Sequence, residues 1–128
     1  MQELIEKVEQ WAIDKGINQA TDWRPQFGKI AEEVMEYKDE LRKHEDLKGP
    51  NFYFAHDEMV EMGDILVTLT IMAQQRGYEL KQCLELAYNK IKDRQGEVID
   101  GNFVKAEDIG KVRKDSEDIG KMECSLGG

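Results

Sequence analysis

Cysteine, proline and histidine are scarce in this chain, with two of each among 128 residues. The cysteines, Cys83 and Cys124, are too few for a disulfide framework and show no metal-ligand spacing, which argues against a disulfide-stapled domain and a cysteine-based zinc site. The histidines, His44 and His56, do not follow a glutamate at three residues, so the Glu-x-x-His pairs of a di-iron carboxylate bundle are missing. We expect His44 at the surface and His56 at a loop or helix entry.

Long apolar runs and basic clusters are also missing. No stretch approaches the roughly 18 apolar residues of a membrane span, and residues 1–6 lack the basic start of a secretion signal. We therefore expect a cytoplasmic protein with no membrane partner. Charged residues make up 35% of the chain with a net charge of −9 and no basic stripe, which argues against a nucleic-acid partner. A polyanionic ligand would need metal ions in order to approach.

Helical periodicity is the main pattern that is present. It predicts helices over about 2–15, 25–44, 56–76 and 80–95, with Gly16 suited to a left-handed cap and Pro25 to a first helical turn. Regular alternation of period two is absent, so no strand is predicted. The length suits one domain. We expect an all-α fold.

The third predicted helix is apolar on nearly every face between Ile65 and Ala73. Such a helix is covered on several sides, so it is central or lies in a subunit interface. Left exposed, the stretch would be a sticky patch. The pattern predicts a homo-oligomer, either a homodimer or a homotetramer built as a dimer of dimers.

The apolar pattern fades near the end of the chain. We expect an ordered domain over 1–105 and a polar C-terminal tail over 106–128 that is partly ordered at best.

Two acidic runs, at 32–36 and 58–64, are the most informative feature. At about 100° per residue, the apolar stripe of the third helix projects back onto Glu58 and Glu61. Asp64 lies three residues beyond Glu61, close enough to share a ligand with it. Because burying an ionised carboxylate without a partner costs several kcal/mol, we expect a metal ion or a basic side chain beside this run.

The first run can face the second. A loop containing Gly49 and Pro50 allows the two helices to lie antiparallel, which would gather four carboxylates: Glu33, Glu36, Glu61 and Asp64. All-oxygen ligands favour Mg²⁺ or Mn²⁺ over zinc. The competing interpretation is a solvated helix face, with Lys29 and Glu33 as a surface ion pair.

The motifs Glu32-Glu33-x-x-Glu36 and Glu61-x-x-Asp64, with 24 residues between Glu36 and Glu61, resemble the MazG-like nucleoside triphosphate pyrophosphohydrolases of the all-α NTP pyrophosphatase superfamily. The segments Gln26-x-x-Lys29, 63–66 and 89–96 add to the resemblance, which covers roughly residues 8–105. It implies a four-helix bundle-like MazG fold. It also implies Mg²⁺-dependent cleavage of a nucleoside triphosphate into a monophosphate and pyrophosphate.

The resemblance also assigns roles to particular residues. It implies that the Mg²⁺ ligands, with Mn²⁺ as a possible substitute, are Glu33, Glu36, Glu61 and Asp64. It leaves open whether Glu32 or Glu36 orients the attacking water, and whether Glu32 is a further ligand.

Candidate substrate contacts come from the cations and aromatics. Lys90 and Arg94 share one face of the fourth predicted helix, so they are candidates for holding the phosphates, followed by Lys29 and Lys105. Trp23 is a candidate for contacting the base, as are Trp11 and the aromatic run 52–54.

The preferred interpretation is an enzyme that controls nucleotide pools by hydrolysing (deoxy)nucleoside triphosphates. One alternative is a phosphoribosyl-ATP pyrophosphohydrolase, which breaks the same kind of bond. The other is a non-catalytic helical protein whose acidic face binds a basic partner.

Overall fold

The computed structural model describes residues 1–46 and 52–111, apart from the side chains of residues 52 and 53. This part of the chain is mostly helical, which confirms the sequence prediction at that level. Its elements are α1 (Gln2–Lys15), a 3₁₀ turn (Ile17–Gln19), α2 (Arg24–Arg42), α3 (Phe52–Gln75), α4 (Leu80–Ile91), β1 (Gly96–Ile99), β2 (Asn102–Lys105) and a second 3₁₀ turn (Ala106–Asp108). None of the helices described is long and apolar enough to cross a membrane.

The chain divides into two compact units, Met1–Glu85 and Leu86–Gly128. In the first unit, α3 packs against both α1 and α2. Contacts between α2 and α3 run in opposite chain order, since Gln26 reaches Thr68 whereas Glu33 meets Asp64. The two helices are therefore antiparallel, as the carboxylate cluster requires.

Helix ends in the first unit follow the local sequence. Gly16 has a φ of 75°, and its N–H lies against the carbonyls of Ala12 and Ile13, so it caps α1 in the left-handed conformation predicted for it. Pro25 lies in the first turn of α2. Asp22 Oδ1 accepts a hydrogen bond of 3.0 Å from the Arg24 backbone N–H, which satisfies one donor at that helix start.

Two predicted helix limits were wrong. The third helix begins at Phe52, four residues before the predicted start, and Phe54 in its first turns stacks on His44, just beyond the end of α2. The fourth ends at Ile91, short of Gln95, and the chain then enters a hairpin.

The second half of α3 is only partly covered within the described chain, and its predicted burial in a subunit interface stays a prediction. Buried residues in it are Thr68, Thr70, Ile71 and Ala73. The hydroxyls of Thr68 and Thr70 donate to carbonyls one turn earlier at 2.7 Å, so neither is an unsatisfied donor. Leu66 is nevertheless 40% exposed.

Three glutamines join the elements of the first unit through their side-chain amides. Each donates Nε2–H to a backbone carbonyl of another element and so links the two elements. The pairs are Gln26 to Thr68 at 3.0 Å, Gln74 to Glu9 at 3.1 Å and Gln75 to Ile17 at 3.0 Å. These bonds tie α2, α1 and the 3₁₀ turn to α3.

The second unit contains a β-hairpin, so the prediction of no strands was wrong. β1 and β2 pair antiparallel from Gly96 opposite Lys105 to Ile99 opposite Asn102. Asp100 and Gly101 both have positive φ, 51° and 80°, which is the requirement of a tight two-residue hairpin turn. Strands of four residues are too short to show clear period-two alternation, so the Asp-Gly pair was the available signal.

Parts of the sequence predictions fall outside the described residues. These are the loop around Gly49 and Pro50 and most of the predicted tail, 112–128. The prediction for the tail therefore stays a prediction.

Candidate metal centre

Three of the predicted carboxylates meet between α2 and α3. Glu33, Glu61 and Asp64 each offer one oxygen, and these oxygens lie within 4.8 Å of one another. Glu61 and Asp64 share a face of α3 because they are three residues apart. All three residues are half-buried. The arrangement has the oxygen ligands and the spacing that a hard divalent cation can bridge.

Two oxygens of this cluster are buried and have no hydrogen-bond donor among the residues described. They are Glu33 Oε2 and Glu61 Oε2. A buried acceptor without a donor is costly, and a charged one more so. A cation between the carboxylates would satisfy both oxygens at once.

The same crowding raises the pKa of two of the carboxyl groups. Burial is the main cause for Glu33, followed by its hydrogen bond with Glu36 and the charges of Glu36 and Asp64, whereas Lys29 opposes the rise. The pKa of Glu61 is raised by burial first and then by the charges of Glu36, Asp64 and Glu40. Both groups therefore hold a proton more readily than an isolated glutamate, and a bound cation would compete with that proton.

The other two glutamates of the first acidic run lie outside the group of three. Glu36 is exposed, but its charge acts on both Glu33 and Glu61, so it stands beside the cluster. Glu32 is exposed and pairs with Lys29 Nζ at 3.2 Å. That hydrogen bond and the charge of Glu32 raise the pKa of Lys29. The geometry brings together three of the four predicted ligands and leaves Glu36 adjacent.

A second charged cluster lies further along α2 and was missed by sequence reasoning. Glu40 is buried and accepts from Lys43 Nζ at 3.0 Å, and its other oxygen lies 3.2 Å from His44 Nε2. The hydrogen bonds from Lys43 and His44 lower the pKa of Glu40. The spacing of three and four residues after Glu40 was the available signal.

His44 was predicted to lie at the surface, and this was wrong. Its side chain is only 12% exposed. The ring stacks on Phe54 with 3.7 Å between centroids and 18° between planes. The contact with Phe54 of α3 covers the imidazole, which the spacing between Glu40 and His44 alone could not show.

Two of the predicted phosphate contacts belong to the second unit. Lys90 is exposed on α4, whereas Arg94 is half-buried just beyond it. Arg94 and Lys105 line a common cleft of about 410 Å³, together with Asp93 and Glu107. Two cations and two carboxylates therefore share this cleft.

Trp23, the predicted base contact, lies at the start of α2. Trp23 as a whole is 45% exposed, and its ring meets Phe27 edge-on with 5.8 Å between centroids. The Arg24 guanidinium lies 5.4 Å from the Trp23 ring centroid, within reach of a cation–π interaction. The exposed ring leaves a surface for a planar ligand.

An open cleft of about 620 Å³, called here the loop cleft, lies in the first unit. Residues between Gly16 and Lys29 line it, together with Gln75 from α3. Lys29 belongs both to this cleft and to the ion pair with Glu32. The loop cleft therefore adjoins the carboxylates of α2 through one side chain.

No family model matches this chain, and neither the curated proteins nor the solved structures compared with it give a match.

Proposed function

We propose that this chain is a Mg²⁺-dependent nucleotide pyrophosphohydrolase with a MazG-like helical bundle, acting in the cytoplasm on (deoxy)nucleoside triphosphates. The observation that supports it best is the group formed by Glu33, Glu61 and Asp64, whose oxygens lie within 4.8 Å of one another. Two buried oxygens without donors within the described chain support the same proposal. Mg²⁺, or Mn²⁺ in its place, suits such a set of ligands.

The metal would also offset the electrostatic repulsion between this acidic protein and its negatively charged substrate. The net charge of −9 repels a triphosphate, and the carboxylate cluster repels it most strongly at close range. When bound, Mg²⁺ would supply the positive charge that lets a triphosphate approach, lower the pKa of water and stabilise charge on the phosphoryl oxygens. Glu33, Glu61 and Asp64 would hold it, with Glu36 completing the set.

A carboxylate beside the cluster would orient the attacking water and take its proton. Glu36 suits this role better than Glu32, because its charge acts on both Glu33 and Glu61. Glu32 is already paired with Lys29. Water attack would break one phosphoanhydride bond and release a nucleoside monophosphate and pyrophosphate.

The remaining predicted contacts would bind the substrate. Lys29, at the edge of the carboxylates, would neutralise a phosphate, and Trp23 would contact the base. Lys90 and Arg94 belong to the second unit and stay predictions as phosphate contacts; Arg94 shares a cleft of that unit with Lys105. A guanidinium can hold a phosphate through two parallel hydrogen bonds.

One assay tests the activity. Purified protein is incubated with each NTP, each dNTP and phosphoribosyl-ATP, with Mg²⁺ or with chelator, and pyrophosphate release is measured. We expect release from at least one NTP or dNTP that stops when the metal is chelated. Release from phosphoribosyl-ATP alone would assign the alternative enzyme, and no release from any substrate would reject the enzymatic proposal.

We also propose that two or more copies of the chain associate. In the first unit, α1 and α3 leave apolar side chains exposed, among them Leu4 at 61%, Met59 at 65% and Leu66 at 40%. Leu4 lines two apolar grooves, of about 210 and 340 Å³. A second copy would cover this face by symmetry, as in a homodimer or a homotetramer.

Light scattering at micromolar concentration tests this association. We expect a mass above that of one chain, and a smaller mass for Leu4→Glu. Leu84→Glu is the matched control, since Leu84 is 70% exposed but lines neither groove. A wild-type monomer that keeps full activity on dilution would contradict the proposal.

A further inference from the structure

Two lysines lie at the ends of one acidic face of α2. Five charged residues follow each other at intervals of four, three, four and three residues, which places them on one side of the helix: Lys29, Glu33, Glu36, Glu40 and Lys43. Lys43 follows the last residue of α2 but keeps a helical backbone, with φ −58° and ψ −23°, and its N–H donates to the Asp39 carbonyl at 3.2 Å. The helical spacing therefore extends to Lys43, and a cation lies at each end of the carboxylates.

The Lys43 ammonium group is held by a carboxylate that is itself fixed. Lys43 Nζ donates to Glu40 Oε2 at 3.0 Å, and Glu40 is buried. The other Glu40 oxygen lies 3.2 Å from His44 Nε2, and the His44 ring stacks on Phe54 of α3. These contacts fix the position of the ammonium group relative to both helices.

Lys43 can bind a further anion while it stays bonded to Glu40. An ammonium group has three N–H donors, and the bond to Glu40 uses one of them. The Lys43 side chain is 66% exposed, and no second acceptor for it lies among the residues described. The hydrogen bond and the charge of Glu40 raise the pKa of Lys43, so the group is positively charged at neutral pH.

The ammonium group also lies close to the carboxylate cluster. Glu40 is one helical turn beyond Glu36 on α2, a rise of about 6 Å along the axis. Burial and the neighbouring carboxylates raise the pKa of Glu61, and the charge of Lys43 opposes that rise. A pyrophosphate group held at the cluster can span one helical turn, so its far end would reach Lys43.

The other lysine of this face lies towards the proposed base contact. Lys29 Nζ pairs with Glu32, eight residues before Glu40, so the two ammonium groups lie about 12 Å apart along the α2 axis. That separation suits a triphosphate held at both ends. Trp23, the proposed base contact, precedes Lys29 at the start of α2. The end of the triphosphate that reaches Lys43 is therefore the end remote from the base.

We propose that Lys43 binds the phosphates that leave as pyrophosphate. The inference rests on the proposed pyrophosphohydrolase function. The water oxygen bonds to the α-phosphorus, Glu36 accepts a proton from that water, and the bond between the α-phosphorus and the oxygen bridging to the β-phosphorus breaks. The bridging oxygen keeps the electron pair and leaves with the pyrophosphate. Lys43 neutralises the negative charge that the leaving group gains.

Lys38 provides a matched control for Lys43. Both side chains are exposed. Lys38 is five residues from Lys43 and five from Glu33, so it points well away from the acidic face. Replacing either lysine with methionine removes an exposed ammonium group from the same helix, and only the relation to the carboxylate cluster differs.

The first experiment measures kcat/KM for the best triphosphate at saturating Mg²⁺. Lys43→Met should lower it about tenfold, which corresponds to one hydrogen bond to a charged group. Lys38→Met should leave it unchanged, and Lys43→Arg, which keeps a cation, should recover most of the loss. Equal values for Lys43→Met and Lys38→Met would overturn the proposal. Lys43→Gln is a second neutral variant if Lys43→Met fails to fold.

Product inhibition tests which end of the substrate Lys43 contacts. Lys43→Met should raise the inhibition constant of pyrophosphate about tenfold and leave that of the nucleoside monophosphate unchanged. Lys29→Met should do the reverse. If Lys43→Met changed both constants equally, Lys43 would act through the charge of the whole site, and the proposed contact would be wrong.

Binding without turnover separates this proposal from the proposed activity. Calorimetry with magnesium pyrophosphate measures the contact whether or not any triphosphate is hydrolysed. Binding that weakens about tenfold in Lys43→Met but not in Lys38→Met would support the proposal even in a protein without activity. Absence of binding by the wild type, or equal binding by the wild type and Lys43→Met, would overturn it even if pyrophosphate release is observed.

Discussion

The two charged clusters along the α2–α3 pair contain similar glutamates in opposite electrostatic settings. In the cluster near the middle of the two helices, Glu33 and Glu61 face other carboxylates and their pKa values are raised. In the cluster near the end of α2, Glu40 accepts from Lys43 and His44 and its pKa is lowered. All three residues are glutamates, so the neighbouring side chains determine whether the pKa is raised or lowered.

The difference separates a ligand-binding arrangement from a structural one. Glu40 has both oxygens satisfied by the protein itself, so it needs no external partner. Glu33 and Glu61 each keep a buried oxygen without a donor in the described chain. A cluster that the protein leaves uncompensated favours a cation from solution, which is the expected distinction between a metal site and an ion pair.

The largest expected effect is on turnover. Glu33→Gln, Glu61→Gln and Asp64→Asn should each lower pyrophosphate release more than the roughly 10- to 100-fold that follows loss of an outer partner of a metal ligand. Glu40→Gln should keep most of the activity. Initial rates at saturating Mg²⁺ measure both. An equal loss of turnover in Glu40→Gln and in the variants of the carboxylate cluster would show that the two clusters do not differ in function.

Glu58→Gln sharpens the same comparison. Glu58 projects onto the apolar stripe with Glu61, but it is outside the group of three that meets between the helices. It should therefore tolerate the change better than Glu61. If Glu58→Gln lost as much activity as Glu61→Gln, the metal site would have to include Glu58, one turn earlier on α3.

The next effect is stabilisation by metal. Binding to the folded state alone should stabilise the protein by about 2.7 kcal/mol at 100 times the Kd. Thermal melts with increasing Mg²⁺ should show a rising midpoint in the wild type and in Glu40→Gln, and none in Glu61→Gln. Sodium chloride at matched ionic strength is the control, and an equal rise with that salt would indicate screening rather than binding.

A smaller effect is the pH dependence of stability without metal. The pKa values of Glu33 and Glu61 are raised on folding, so their contribution is present below the ordinary value of 4.5 and is lost as the pH rises through the raised values. Glu40 has the opposite sign, and its contribution is lost as the pH falls through its lowered pKa. Above pH 4.5, Glu33→Gln should become more stable than the wild type and Glu40→Gln less stable.

Thermal melts in chelator from about pH 3 to about pH 8 measure these differences. The difference in melting temperature between Glu40→Gln and the wild type should disappear in acid. The difference between Glu33→Gln and the wild type should grow as the pH rises. If the melting temperatures of both variants shifted in the same direction relative to the wild type, the proposed electrostatic contrast between the two clusters would be wrong.

The smallest effect concerns the partners of Glu40. His44→Leu should lower the melting temperature more than Lys43→Met, because the imidazole is 12% exposed and stacks on Phe54 whereas the Lys43 side chain is 66% exposed. An aromatic pair contributes roughly 0.5–1.5 kcal/mol, and an exposed ion pair contributes little. Melts at neutral pH compare the variants. A larger drop in melting temperature for Lys43→Met would show that charge, rather than packing, accounts for most of the stability that this cluster contributes.

Local signals in the sequence predicted the helices well. Gly16 ends α1 where its left-handed cap was expected, and the 3.6-residue period identified α2 and α3. The errors came where tertiary contacts or short elements decide the structure. The added turn of α3 contains Phe54, which stacks on His44, and the strands around Asp100 and Gly101 are too short for a periodic pattern.

The site was predictable in part for a similar reason. Spacing along one helix places Glu61 and Asp64 together, and the two acidic runs indicate a facing pair. The exclusion of Glu36 from the closest group depends on how α2 rotates against α3, which spacing does not determine. Glu40 was missed because its partners include His44, whose burial depends on an aromatic residue of another helix.

The adjacent amides of Gln74 and Gln75 have a consequence for binding entropy. One bond ties α3 to α1 and the next ties it to the 3₁₀ turn beside the loop cleft. These hydrogen bonds hold the residues on this side of the cleft in place before a ligand binds. A ligand therefore loses its own freedom of motion on binding, but the protein loses little conformational entropy there. Preorganisation of this kind raises affinity without adding a contact.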